Sequence, residues 1–172
     1  MKSRTYQQIA LTLIIALGIS FLFSSCVKNK KNIQKEDIVV THEFPNGNWA
    51  FEEEVLDLGF DITDTIHAYR IEFSLNYDST ANTIDELPVT ITLTGPDGME
   101  TFVSSKFNFD PKVNKDITPT GQGSICNMNL IAFPKKNLNQ VGHYNINFYR
   151  KATKADNYGL NSLTMRVVPV KK

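Results

Sequence analysis

Beyond residue 55 the apolar positions of this chain recur at every second residue. Leu56, Leu58, Phe60 and Ile62 alternate with Asp57, Gly59 and Asp61. Tyr69, Ile71, Phe73, Leu75 and Tyr77 then alternate with Ala68, Arg70, Glu72, Ser74 and Asn76. Successive side chains of a strand point to opposite faces, so each run predicts a strand with one face on a core and one in water. Val89, Ile91 and Leu93 alternate with Thr90, Thr92 and Thr94, residues that favour strands. Gly95-Pro96-Asp97-Gly98 supplies turn chemistry, and Thr101 to Phe109 follows as the hairpin partner.

A loop rich in Pro, Gly and Thr runs from Asp110 to Ser124. Cys126, Met128, Leu130 and Ala132 then alternate with Asn127, Asn129 and Ile131, a pattern that ends at Phe133-Pro134. Lys135 to Val141 reads as a turn. It leads into Gly142 to Phe148, with Tyr144, Ile146 and Phe148 on one side. A Gly-x-Tyr start to a late strand is familiar in sandwich domains, where the tyrosine hydroxyl ties a corner. The last strand, Ser162 to Val170, turns Leu163, Met165 and Val167 inward. Pro169 lacks a ladder donor, which places that end on an edge or outside pairing.

No segment past residue 35 sustains a 3.6-residue period. Seven to nine short strands at this spacing predict an all-β fold, a single β-sandwich of immunoglobulin-like or jelly-roll type over residues 38–172. No second domain and no internal repeat is evident.

The amino terminus follows other rules. Lys2 and Arg4 precede an uncharged apolar run from Ile9 to Phe23, which ends in Ser24-Ser25-Cys26. A basic start, a short apolar run and small residues before a cut site describe a secretory signal. The run is closed by Lys28, Lys30 and Lys31 before it reaches the roughly 20 residues a bilayer span needs. Cys26 directly after the small pair matches a bacterial lipoprotein signal at 1–25, with the thiol accepting diacylglycerol. Phe23 stands where such signals usually carry Leu or Val, and a plain signal with an incidental cysteine is the alternative. Residues 26–37 are polar and mostly basic, with nothing to bury, and read as a tether. Their lysines are attracted to anionic headgroups by roughly 1 kcal/mol each near the surface.

Removing 25 of the 172 residues leaves 147, a usual size for one domain. The signal takes Lys2 and Arg4 from the 18 basic residues and none of the 18 acidic ones, so the rest carries −2, against a nucleic-acid partner. With Cys26 acylated, Cys126 has no partner in the chain. It is then either a small buried hydrophobe or a reactive thiol. Charge is unevenly placed. Between Glu36 and Asp110 the only bases are Arg70 and Lys106; from Pro111 onward the only acids are Asp116 and Asp156. This predicts either a two-faced surface that orients a partner or strands from both halves interleaved so that the signs mix.

Chemistry is sparse. His42, His67 and His143 lie far apart; His67 near Asp64 and His42 beside Glu43 are weak pairs, and no metal site is expected. Glu52-Glu53-Glu54 lacks the alternating oxygen ligands of a calcium loop and reads as a solvated face. No Gly-x-Ser-x-Gly elbow, phosphate loop or dinucleotide fingerprint is present, and Gly121-Gln122-Gly123 has no following helix to make a phosphate nest. No cofactor and no catalytic residue is expected. Phe44-Pro45-Asn46-Gly47-Asn48-Trp49 is the best candidate for a specific role. Asn46-Gly47 favours a tight turn. Phe44 and Trp49 either close one end of the sandwich or offer Trp49 as an exposed platform for a glycan or a partner protein.

These pieces, in order, resemble the gliding-motility lipoprotein family GldH of Bacteroidota. The likeness runs through Cys26, Phe44-Pro45-Asn46-Gly47-x-Trp49, Phe60-Asp61-Ile62-x-Asp64-Thr65 and the Tyr69–Leu75 strand. It continues through Leu93-x-Gly95-Pro96-Asp97-Gly98, Gly142-x-Tyr144 and Gly159-Leu160 with the closing strand. It implies a non-catalytic cell-envelope lipoprotein, an accessory of gliding and its associated secretion machinery, with other envelope proteins as partners. Val27-Lys28-Asn29-Lys30, where surface-exported lipoproteins of that lineage carry acids, implies a periplasm-facing anchor. Asp64-Thr65-Ile66 and Asp78-Ser79-Thr80 fit the lineage's O-glycosylation pattern, making Thr65 and Ser79 candidate modification sites.

Overall fold

The computed structural model describes residues 36–50, 55–120, 123–150 and 157–172. The signal at 1–25, Cys26, the tether as far as residue 35, Glu52 to Glu54 and Gly121-Gln122 lie outside the described residues. Eight long strands and three two-residue strands follow one another: β1 (Ile38–Glu43), β2 (Asn48–Trp49), β3 (Val55–Ile62), β4 (Ala68–Asp78), β5 (Glu86–Thr94), β6 (Glu100–Asn108), β7 (Thr118–Pro119), β8 (Ile125–Asn137), β9 (Gly142–Arg150), β10 (Asn157–Tyr158) and β11 (Leu160–Val170). Among the described residues the one helical element is a single 3-10 turn at Pro45–Gly47.

The long strands pair antiparallel in nested fashion: β5 with β6, β4 with β8, β3 with β9, and β1 with β11. The chain therefore doubles back about Gly95–Gly98, where Gly98 takes φ 75° and donates to Gly95 O at 2.9 Å. The doubled ribbon is wound into two sheets of order β1-β11-β4-β8-β7 and β3-β9-β5-β6, with β2 and β10 forming a small ribbon of their own. This is the jelly-roll order. An immunoglobulin-like sandwich would set more consecutive strands side by side. Here, of the long strands, only β5 and β6 are both consecutive and adjacent.

Nesting decides the charge question as well. Each outer pair joins the acidic first half to the basic second half, so the signs mix across the sheet. Arg166 on β11 pairs with Glu72 on β4 at 3.3 Å and with Asp37 just before β1. His143 on β9 meets Asp61 on β3 at 2.9 Å.

The inward residues of both sheets meet in one core, which holds Leu56, Leu58, Phe60 and Ile62 of β3 and Ile71, Phe73 and Leu75 of β4. Phe148 is its aromatic centre, with ring centroids 4.9 Å from Phe73, 6.0 Å from Trp49 and 6.4 Å from Phe107. Such pairs add about 0.5–1.5 kcal/mol each beyond area burial. Tyr144 closes the β8–β9 corner: its hydroxyl donates to Gln140 O at 3.0 Å and accepts from Gln140 N–H at 3.3 Å.

One detail differs from the periodicity, and one follows it. β8 does not stop at Pro134 but runs to Asn137, because the register shifts opposite Tyr69, Ile71 and Glu72. The irregularity puts Ala132 and Phe133 inward together, and Pro134 falls where no regular rung calls for its missing donor. At the other end, Pro169 pairs only with Tyr69 of β4, since β1 stops short of it, as its missing donor requires.

Candidate functional site

The turn before Trp49 is built by its sequence. Asn46 and Gly47 take φ 57° and 65°, the positive values a type I′ turn requires, and Asn48 N–H donates back to Pro45 O. The turn folds Trp49 inward. Its indole is completely buried, stacked on Phe44 at 5.2 Å, with the Arg150 guanidinium 5.6 Å from its ring centroid. Phe44 is buried too. Both residues pack; Trp49 has no surface to offer, which corrects its role as an exposed platform. The physical reason is that the ring is enclosed by Phe44, Phe148 and Arg150, while β2 is held by its pairing with β10 in register Trp49 to Asn157.

The two modification candidates differ in setting. Ser79 stands exposed in the turn after β4, its hydroxyl donating to Ser124 O at 2.8 Å. Beside it, Asp78 is pulled down to about 2 by hydrogen bonds from the Ser124 side chain and then from the Thr80 hydroxyl and amide. Thr65 is half-buried in the β3–β4 loop, and Lys172 Nζ donates to its carbonyl. That loop is organised by Asp64, buried beneath it. The Asp64 carboxylate accepts Ile66 N–H at 2.8 Å and faces His67 Nδ1 at 3.2 Å. Tyr69, whose hydroxyl donates to Asp64 O, is pushed up to about 12 by burial and then by Asp64. Tyr77 is likewise raised to about 12 by burial, then by Cys126. Cys126 is half-buried against the core with a free thiol.

His42 packs edge-on against Phe44 at 5.0 Å. Among the described residues no three His, Cys, Asp or Glu side chains gather as a metal would need.

The constellation that sequence reading missed lies on the outer face of the five-stranded sheet. Register sets outward side chains of β11, β4 and β8 in three rows: Ser162, Asn76 and Asn127; Thr164, Ser74 and Asn129; Arg166, Glu72 and Ile131. Together with part of Phe73 they line an open groove of about 580 Å³, inside the roughly 300–1,000 Å³ of small-ligand sites. Carboxamides link its upper row. Asn161, the extra residue of a β11 bulge, donates to Asn76 Oδ1 at 3.0 Å, and Asn76 donates to Asn127 Oδ1 at 2.7 Å. A bulge re-aims a side chain in this way. Thr164 is joined to Thr41 of β1 at 3.0 Å. The lower row holds the only charges of the grid, and Arg166 neutralises Glu72 there. The surface is thus hydroxyl- and amide-rich and electrically balanced, and Ile131 is its one exposed apolar side chain.

No family model matches this chain, and neither does any curated protein. Several solved structures align with it at low identity. The VP2 subviral particle of infectious bursal disease virus is 14% identical at TM-score 0.37, over 78% of this chain and 33% of that one. Dimeric latent PorU from Porphyromonas gingivalis is 11% identical at TM-score 0.40, over 80% and 13%. CBM28, a non-crystalline cellulose specific carbohydrate-binding module, is 11% identical at TM-score 0.44, over 76% and 72%. The chain spans about a third of the length of the first and far less of the second. None of the three bears on what this chain binds. The class defined by its own strand order is a jelly-roll β-sandwich.

Proposed function

We propose that this chain is a lipid-anchored, non-catalytic protein of the cell envelope, held by Cys26, that works by binding through the outer face of its five-stranded sheet. The observation that carries the reading is the groove: three strands distant in sequence bring Asn76, Asn127, Asn129, Ser74, Ser162 and Thr164 onto one open surface. Convergent hydrogen-bonding groups of this kind can fix the orientation of a ligand. The lipoprotein signal and the likeness to the gliding-motility lipoproteins support a place among envelope machinery. The tether's lysines support a periplasm-facing anchor.

A photoreactive residue in place of Asn129 tests this in intact cells. It should give adducts of higher mass, whereas the same residue at Thr92, on the outer face of the other sheet, should not. Equal adducts from both, or none from Asn129, would defeat the reading.

A further inference from the structure

We infer that the groove takes a neutral glycan strand. The inference rests on the reading of this face as the working surface and names the ligand class. Three features of the grid select it. First, its side chains are carboxamides and hydroxyls, each carboxamide offering a donor and an acceptor. That is the complement of the neighbouring hydroxyls of a sugar ring. Second, the charges present cancel: Arg166 pairs with Glu72 and Asp37, and Arg70 pairs with Glu72 from the other side, so the groove has no surplus cation to hold a phosphate or an acidic polymer. Third, β11 and β4 are each paired on both sides, and β8 lies between β4 and β7. Along β11 and β4 the floor therefore offers no free strand edge to which a peptide could add, while β8 is edged by β7 only at Cys126 and Asn127. Apolar anchors of the kind that protein partners need are few: Val39, beside Arg166 at the far end of the lower row, and Ile131. The Ile131 side chain can lie against the C–H face of one sugar ring. The four rises from Glu72 to Asn76 span about 13 Å of strand. That is room for a short run of sugars, not for a single one.

The exposed aromatic Phe102 lies elsewhere, on β6 opposite Thr92, and serves as the control. The test is affinity electrophoresis of the full-length mature protein in mild detergent, through native gels containing dextran, mannan or laminarin, and separately polygalacturonate as an acidic polymer. At least one neutral polymer should retard the protein and polygalacturonate should not. Asn129→Ala should weaken the retardation about tenfold, the loss of one or two hydrogen bonds. Ser74→Tyr, which fills the groove floor, should abolish it. Thermal melts confirm that both variants are folded, since both positions face solvent.

Retardation by none of the neutral polymers, or by polygalacturonate alone, overturns the inference. So does retardation lost in Phe102→Ala but kept in Asn129→Ala and Ser74→Tyr. Adducts from position 129 in cells without retardation by any neutral polymer defeat the glycan and leave the proposed function standing. No adducts and no retardation defeat both.

Discussion

Arg166 and Glu72 sit directly opposite each other across β11 and β4, with Nη1 3.3 Å from Oε1, although 94 residues separate them. The pair is where the acidic first half of the chain meets the basic second half. Because the pair is solvent-exposed, its worth is at most about 1 kcal/mol. Arg166→Glu should cost about that much by placing like charges opposite each other. The exchange Glu72→Arg with Arg166→Glu should restore only part of the loss, because the exchanged residues then face Arg70 and Asp37 of like charge. Urea midpoints of the three variants would show it; no recovery in the double variant would mean that the pair is incidental.

Trp49 carries a larger stake. Its ring is fully buried among Phe44, Phe148 and Arg150. Trp49→Ala should cost about 3–5 kcal/mol, the range for emptying such a site, with a matching fall in melting temperature. A loss under 1 kcal/mol would contradict its role in closing the fold.

Gly159 turns the chain from β10 into β11 at φ +81°, and a Cβ there would lie 2.6 Å from Asn82 N and 2.9 Å from Ala81 C. Both obstacles are backbone, so they cannot swing away. Its carbonyl also accepts Asp78 N–H at 2.7 Å. Gly159→Ala should therefore destabilise by more than the roughly 1 kcal/mol of an ordinary glycine exchange. Calorimetry showing an unchanged melting temperature would refute the close approach.

Asp78 predicts a pH dependence. Its folded value is lowered from 3.8 to about 2, first by the Ser124 side chain and then by Thr80. A lowered carboxyl contributes stability above its unfolded value and loses it as pH falls through the folded one. The margin of the wild type over Asp78→Asn should thus hold above pH 5 and shrink toward zero between about pH 4 and 2. The group is solvent-exposed, so the margin is small and best read from paired melts at each pH. A margin that grows on acidification would reverse the sign.

The sequence disclosed the strands far better than their partners. β4 and β9 are legible because five and three inward apolar residues alternate with polar ones, and Tyr144 announced its own corner. Beyond the β5–β6 hairpin, which its turn residues announced, strand pairing was not legible, since nested pairs join residues as distant as Ile38 and Val167, and alternation is blind to which strand lies alongside. For that reason the choice between immunoglobulin-like and jelly-roll sandwiches needed the structure. The groove was hidden for the same reason. Asn76, Asn127 and Ser162 each read as an ordinary outward polar residue, and only register makes them one row. Whether Trp49 points in or out was hidden because β2, which carries it, has two residues and leaves no periodic trace. The extension of β8 was masked by Pro134, whose tolerance depends on a bulge.

The most direct test of an anchored binding domain is the mass of the mature amino-terminal peptide, taken from protein isolated from its native envelope. The account predicts that the peptide begins at Cys26 and carries acyl chains on that residue. A peptide that begins there with an unmodified thiol, or one that still contains Phe23-Ser24-Ser25, would contradict it.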